Sequence, residues 1–376
     1  MNDTAFLDMY SLTMNLGLGT NLRNQPGPVL LTGHTGFKGT WMTLLLEFLQ
    51  IPVVGISLAP KKDSLYSLLE RKGAIPEAFI DVREFKKLKN FFIKYKPSVV
   101  LHMAAQPLVL ESYNSPRETF EINIMGTANI LDISTAFPEV KSVGVVTTDK
   151  VYRNNSQNSK GFIETDSLEG KDPYSASKVG TEAAVSAWRQ ISNKNKGQQI
   201  FSLRAGNVIG GGDKAMDRLL PDIVRSKLDS KSLVIRNSNS TRPWQHVLDP
   251  LHGYLLALDT SLNKEISSAY NFSPNAKSLD VGTVVEIANT AWENSLEFEI
   301  LKHKNNVNYE AEELNLNSVR ALNELGWKPL WTQQESIIST VKWWRQLIEN
   351  SVSPSELCLS DIKLLLGDNK FVNTSF

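Results

Sequence analysis

From Pro28 to about Gly206, short apolar runs alternate with longer segments of helical periodicity, and this alternation restricts the fold more than any other feature of the chain. The runs "PVLLT", "PVVGISL", "PSVVLHMA", "KSVGVVTT" and "QIFSLRAG" are apolar on both faces, as strands of a parallel sheet covered on both sides must be. Between them lie "GTWMTLLLEFLQ", "EFKKLKNFFIKY", "ETFEINIMGTANILDIST" and a helical pattern from about Tyr174 to Asn193. Strands and helices in strict alternation, joined by right-handed crossovers, give an α/β fold with a doubly wound parallel sheet.

Beyond Gly206 the rhythm loosens. Gly210, Gly211 and Gly212, the Pro243-Trp244 pair and short polar turns suit a smaller, less regular lobe over residues 207–350, after the regular α/β domain over 28–206 with an interleaved boundary. Residues 1–27 read as an extension expected to be poorly ordered, and 351–376 as a tail carrying the amphipathic "LSDIKLLLGD". Forty Lys and Arg balance forty Asp and Glu, which speaks against nucleic acid or an anionic membrane as the main partner and favours a small molecule. One cysteine, Cys358, excludes an internal disulfide and fits a reducing cytoplasm. The longest apolar stretch is broken by Glu47 and Pro52, and the amino terminus lacks a signal-peptide pattern, so neither insertion nor export is expected. The histidines show no ligand spacing. No metal is expected, and His102 and His246 read as structural.

"LLTGHTGFKGTW" sets Gly33, Gly36 and Gly39 between the first strand and the first helix. Glycine there permits a tight turn, close approach of a pyrophosphate and close helix-to-strand packing, while the helix amino terminus offers free N–H groups to the anion. Thr35, Phe37 and Lys38 complete this loop as candidate cofactor contacts, and the unit becomes an NAD(P)-binding Rossmann-like domain. A carboxylate about 20 residues further on would hold the ribose of NAD. The chain instead reads Ser57-Leu58-Ala59-Pro60-Lys61-Lys62, which leaves NADP open beside NAD. Asp81, followed by Val82 in "FIDVRE", reads equally as an adenine contact or as the cap of a helix beginning near Arg83.

The fifth strand ends in "TTDK", placing Asp149 and Lys150 where a buried strand meets solvent. Downstream, "DPYSASKVG" sets Tyr174 and Lys178 four apart on one helix face. A cation beside a phenol lowers its pKa and makes it a base for a sugar hydroxyl, with Thr148 at the strand end nearby. In the lobe Arg242 of "TRPWQHV" offers a guanidinium fork, which suits phosphate oxygens.

With these residues in place the chain resembles the extended short-chain dehydrogenase/reductases, and among them the nucleotide-sugar 4,6-dehydratases. The resemblance runs from about Val29 to Trp344, through "TGHTGFKG", "HMAAQPLV", "SYNSPRET", "DPYSASK", "RAGNVIGGGD", "RPWQHVLDPL", "YNFSPN" and "LGWKP". Asp149 followed by Lys150 resembles the CDP-glucose branch. The resemblance implies cofactor contacts at Ala104, Ala105, Gln106 and Asn123 as well, substrate contacts at Asn207, Arg218 and Arg236, a nucleotide-sugar substrate and a homodimer or higher homo-oligomer. It implies Tyr174 as base for C4 oxidation, Lys178 as its electrostatic partner and ribose anchor, and Thr148 as donor to the C4 oxygen. Asp149 is then the acid at C6. Lys150 is the base at C5, a task that requires a neutral amine. Departures at Leu110-Glu111, Lys214 and Asn317 fall around the sugar and nucleotide and leave substrate identity open. A C4 epimerase and a cofactor-binding regulator without chemistry are the competing readings; the Asp149-Lys150 pair disfavours the first and the intact Thr148, Tyr174 and Lys178 the second.

Overall fold

The structure, a computed structural model, describes residues 18–154, 160–195, 197–216, 218–235, 238–274, 278–300 and 314–367. Six strands form the body of the sheet: β1 (Val29–Thr32), β2 (Val53–Ser57), β3 (Glu77–Phe79), β4 (Val99–His102), β5 (Ser142–Val146) and β6 (Gln199–Ala205). A seventh strand, Ala269–Phe272, joins β6, and the order across the sheet is seventh, β6, β5, β4, β1, β2, β3, all parallel. Side chains alternate across the pleat: Val29 and Leu31 point into one buried cluster and Leu30 into the other. Each face is therefore covered, and the doubly wound α/β fold expected from the sequence is the one observed.

The strand order reverses between β1 and β4, so the crevice for a ligand opens there, at the carboxyl ends of the strands. Gly33, Asp149 and the loop of Ala104 to Gln106 all lie at that end. The helix predicted from about Tyr174 to Asn193 spans Pro173–Asn195.

The amino-terminal segment differs from expectation. Residues 18–27 are not loose: Leu18 and Leu22 enter the main core, and Asp259 accepts hydrogen bonds from Asn21 Nδ2 and the Leu22 N–H at 3.0 Å each. Apolar burial and a carboxylate clamp offset the chain entropy that a terminal segment otherwise keeps. Residues 1–17 lie outside the described residues. The carboxyl-terminal pattern forms a helix, Pro354–Leu365, opened by a Ser353/Glu356 capping box. It buries Cys358 and Ile362 and packs against the first helix, Phe37–Phe48, so it belongs to the body of the molecule. Elements from beyond residue 206 also close the sheet, since Ala269–Phe272 pairs with β6 and the helix Leu248–Ser261 lies against β5. Among the described residues no helix is long and apolar enough to cross a membrane.

Candidate active site

The loop after β1 is shaped by its glycines. Gly33 has φ +78°, a conformation that β-carbons disfavour, and a Cβ on Gly39 would stand 2.0 Å from the Gly33 carbonyl oxygen. The loop and the first helical turn can therefore touch only if both residues stay bare. Gly36 caps the helix Phe37–Phe48, whose first amides have no partner within the helix. This is a cradle into which a pyrophosphate can approach backbone, and the residues present fit a dinucleotide. Thr35 shares a 2.7 Å hydrogen bond with Ser57 and donates to the Leu58 carbonyl, which ties the loop to the end of β2. Phe37 lies against Gly210.

At the ribose end Ser57 is occupied by Thr35, and the nearby carboxylate is one the sequence did not suggest. Glu77 on β3 bonds His34 Nε2 at 2.7 Å and accepts from the Tyr66 hydroxyl. Asp81 does not cap the helix that follows it. It binds the Arg83 guanidinium and the Arg83 N–H, which hold its carboxyl below the usual range, while the helix starts at Phe85. Val82 is buried beside Gly126. Ala104 N–H donates to Thr32, and Gln106 N–H to Asn123 Oδ1, while Asn123 Nδ2 reaches Ser177 on the helix of Tyr174. Asn123 sits in a π-helical turn, Glu121–Met125, the sort of bulge often found at functional sites.

After β5, Thr148 caps a single 3₁₀ turn, Asp149–Val151. Its hydroxyl donates to Asp149 Oδ1 at 2.9 Å. Thr148, Asp149, Tyr174 and Lys178 are buried and Lys150 is half-buried. Asp149 Oδ2 faces Gly206, where any Cβ would crowd it at 3.0 Å. Burial pushes the Asp149 carboxyl up, against the pull of Lys150, Thr148 and Arg242, so this acid tends to keep its proton.

The pairing of Tyr174 with Lys178 differs from expectation. Burial raises the phenol to about 12; Thr148 and Arg218 pull it down, and Asp149 and Asp172 push it further up. The Lys178 ammonium instead donates to the Val146 carbonyl at 3.2 Å, and burial lowers it to about 8 against the pull of Glu182. Lys38 also reaches the centre. Its Nζ donates to Tyr254 at 2.8 Å, and burial, helped by Lys178 and Arg218, lowers it to about 7. Lys38 is partly exposed, and the neighbouring cations Lys178 and Arg218 act on it in the same direction as burial.

On the substrate side Arg218 bonds Asp213 at 3.2 Å and its charge reaches Tyr174 and Lys38. Arg242 is half-buried within electrostatic reach of Asp149, and Asn207 is exposed just after β6. Arg236 lies outside the described residues. His102 is a buried structural side chain: Thr32 and Thr127 occupy its two nitrogens, and burial lowers it to about 3.

Sequence reasoning missed the network beneath the turn. Glu182 accepts from Thr147 at 2.6 Å, from Ser202 at 2.8 Å and from Arg204 Nε and Nη2, both at 2.8 Å. Arg204 in turn donates to the Tyr152 hydroxyl at 2.7 Å. Thr147 and Tyr152 flank Thr148 to Val151, so one buried ion pair holds both ends of that turn. The available signal was spacing, since Tyr174, Lys178 and Glu182 repeat every four residues along one helix face.

A family profile described as GDP-mannose 4,6 dehydratase matches residues 30–340. The CDP-glucose 4,6-dehydratase of Salmonella typhimurium is 39% identical over 326 residues, 84% of this chain and 89% of that protein. The dTDP-glucose 4,6-dehydratase of the same organism is 26% identical over 84% of this chain and 92% of its own length. Among solved structures, UDP-glucose 4-epimerase from Thermotoga maritima aligns with a TM-score of 0.75 at 20% identity, covering 86% of this chain and all of that one. The dTDP-glucose 4,6-dehydratase of Streptomyces venezuelae, solved with NAD bound, gives 0.71 at 20% identity over 87% of this chain and 99% of its own. Both structural likenesses speak for the fold alone. The length of the profile match and the identity to the Salmonella CDP-glucose enzyme together show that this chain belongs to the GDP-mannose 4,6 dehydratase family.

Proposed function

We propose that the chain is an NAD-dependent CDP-glucose 4,6-dehydratase, a hydro-lyase converting CDP-D-glucose to CDP-4-dehydro-6-deoxy-D-glucose and water. The observation that carries this reading is the turn of Asp149 and Lys150 standing beside Tyr174, because dehydration needs an acid and a second base that epimerisation does not. The 39% identity to the Salmonella enzyme supports the choice of CDP-glucose.

Gly33, Thr35, Gly36, Phe37, Lys38 and Gly39 would hold the cofactor pyrophosphate, Ser57, Asp81 and Val82 its adenosine end, and Ala104, Ala105, Gln106, Asn123, Tyr174 and Lys178 its nicotinamide half. NAD, when bound, supplies the hydride acceptor for C4 and the hydride donor for C6, so no net oxidation results. NAD is the first choice; NADP stays open because the end of β2 lacks a ribose carboxylate. Tyr174 takes the C4 hydroxyl proton, and Lys178 holds positive charge nearby. The C4 ketone acidifies C5, Lys150 removes that proton, and Asp149 protonates the departing C6 hydroxyl. Arg242 and Arg218 bring cations for the substrate diphosphate, with Asn207 and Arg236 as further contacts. The homodimer or higher homo-oligomer belongs to the same proposal and is testable by light scattering.

Incubation of the purified protein with CDP-, dTDP-, GDP- and UDP-sugars tests the reading. A 4-keto-6-deoxy product, 18 mass units lighter by roughly one water, is expected from CDP-glucose without added reductant. A C4-inverted sugar of unchanged mass would refute it.

A further inference from the structure

The helix Pro173–Asn195 carries Tyr174 in its first turn, where backbone N–H groups have no partner within the helix. Pro173 brings no donor, so three N–H groups need partners, those of Asp172, Tyr174 and Ser175. Two are served from inside the turn: the Asp172 N–H reaches Ser175 Oγ at 3.0 Å and the Ser175 N–H reaches Asp172 Oδ1 at 2.9 Å, a reciprocal cap. The third belongs to Tyr174 itself, and its partner comes from another helix. It donates to Ser112 Oγ at 3.1 Å, across 62 positions of sequence. Ser112 is fully buried in the short helix Val109–Asn114, which follows the loop of Ala104 to Gln106. Its own proton goes to the Val109 carbonyl at 2.6 Å, so toward Tyr174 this hydroxyl can only accept.

The Tyr174 carbonyl is held as well. It accepts from Ser177 Oγ at 2.6 Å, and Ser177 in turn accepts from Asn123 Nδ2 at 2.8 Å. Asn123 binds the Gln106 carbonyl and N–H through the two ends of its amide, at 3.1 and 2.8 Å, and its own carbonyl takes the Thr181 hydroxyl at 2.9 Å. Both peptide groups of Tyr174 are thereby tied to the segment that leads out of β4. From this bracing we propose that Ser112 is a positioning residue for the base: it holds the first turn of the helix, and with it the Tyr174 phenol, in register with the loop of Ala104 to Gln106. Without the hydroxyl the Tyr174 N–H is left buried and unpaired, and the turn must shift or fray to find a partner. The phenol oxygen ends a long, rigid side chain, so a small tilt of that turn displaces it by on the order of 1 Å, enough to cost about 10²-fold in rate. Asp149 and Lys150 are held from another side, by Thr148 on the turn after β5, so the loss falls on C4 oxidation and spares elimination.

The positioning role rests on the dehydratase reading with Tyr174 as its base, and two assays separate them. In a Lys150→Met background, where elimination is expected to stall, reduced nicotinamide appearing after rapid mixing of NAD-loaded protein with CDP-glucose reports C4 oxidation alone. Adding Ser112→Ala should slow that phase by about 10- to 100-fold. In the second assay Lys150 is intact, the 4-keto-6-deoxy product is supplied in heavy water with oxidised cofactor, and NMR follows deuterium entering C5, which requires the C5 base but no hydride transfer. Ser112→Ala should exchange C5 at close to the wild-type rate, a split that a general loosening of the site would not produce. Oxidation at an undiminished rate, or an equal loss in both assays, overturns the positioning role while leaving the dehydratase reading intact. If circular dichroism shows Ser112→Ala unfolded, Ser112→Cys, whose sulfur is a weaker acceptor, takes its place. A wild type that dehydrates no nucleotide sugar overturns the reading and the positioning role with it.

Discussion

Glu182→Gln removes half of a charge pair that the protein has sealed from water. Both carboxylate oxygens accept two bonds, Oε1 from Thr147 and Arg204 Nε and Oε2 from Ser202 and Arg204 Nη2, and the partner side chains are 6% and 5% exposed. A glutamine keeps one acceptor oxygen and turns an NH₂ group toward two donors, leaving the Arg204 guanidinium without its counter-charge. Losing one member of a buried pair costs about 3–5 kcal/mol. Urea unfolding followed by fluorescence should show that loss as a lower midpoint at unchanged slope. Burial pushes the Glu182 carboxyl up, but Arg204, Thr147 and Ser202 together hold it below the usual range. A depressed folded pKa stabilises above the ordinary carboxylate range, and that stability is lost as pH falls through the folded value. Wild type should therefore lose stability in acid more steeply than the variant. Replacing both partners, Glu182→Leu with Arg204→Met, should recover much of the stability, since apolar substitutes for a buried pair are often neutral. It should not recover turnover, because Thr147 loses its anchor beside Thr148. A Glu182→Gln protein within about 1 kcal/mol of wild type, or a double variant with full activity, would refute the reasoning.

Gly39→Ala should weaken NAD binding at least about tenfold in a fluorescence titration, because the added carbon meets the Gly33 carbonyl oxygen at 2.0 Å and opens the phosphate loop. Burial lowers Lys38 to about 7, so the folded state resists its charged form below that pH, and the penalty fades as pH rises toward the ordinary lysine range. Lys38→Met should then stabilise the protein more at about pH 6 than at about pH 9 in thermal melts; equal shifts at both would show that the ammonium carries no penalty. Lys150→Met should spare C4 oxidation yet slow elimination by about 10²- to 10⁴-fold, the usual cost of losing a positioned base. Single turnover in heavy water should place deuterium at C5 with wild type only, and normal labelling by the variant would assign that base elsewhere.

The sheet was legible because β1, β2, β4, β5 and β6 are largely apolar runs joined by helical segments; β3 is only "EAF", and a seventh strand after residue 206 was not legible, since "YNFS" is short and lies among turns. The glycine loop was legible for the same reason that it works, since tight approach leaves no choice of residue at Gly33 and Gly39. Asp149 and Tyr174 lie within electrostatic reach of each other because the helix that begins at Pro173 packs against the turn after β5, whereas Lys178 on the same helix turns to the Val146 carbonyl. What could not be read was the direction of polar side chains. Nothing in "FIDVRE" says that Arg83 will take Asp81, and nothing in "GFKGTW" says that Lys38 will cross to Tyr254, more than 200 positions away. Hydrogen-bond partners distant in sequence are set by packing, not by local pattern.

Neighbouring placement of acid and base on Asp149 and Lys150 looks self-defeating, since adjacent opposite charges stabilise each other and each spoils the other's function. The local geometry offers a way out. At three residues per turn a 3₁₀ helix points consecutive side chains about 120° apart. Asp149 accordingly turns inward, over Gly206 and against Thr148, while Lys150 stays half-buried at the rim. Desolvation then falls on the acid and favours its protonated form. An α-helical or extended continuation of β5 would place the two differently: the strand would send them to opposite faces of the sheet, and the helix would lack the Thr148 cap that fixes the acid. The short turn therefore has a chemical purpose as well as a structural one. It lets one strand end deliver a protonated carboxyl and an amine toward the same substrate, at C6 and C5, without joining them in a salt bridge. Lengthening it by inserting one alanine between Asp149 and Lys150 should leave Thr148 and Asp149 in place, preserve C4 oxidation in single turnover, and cost elimination as much as Lys150→Met does. Full dehydration by the insertion variant would show that the spacing of acid and base along this turn is immaterial.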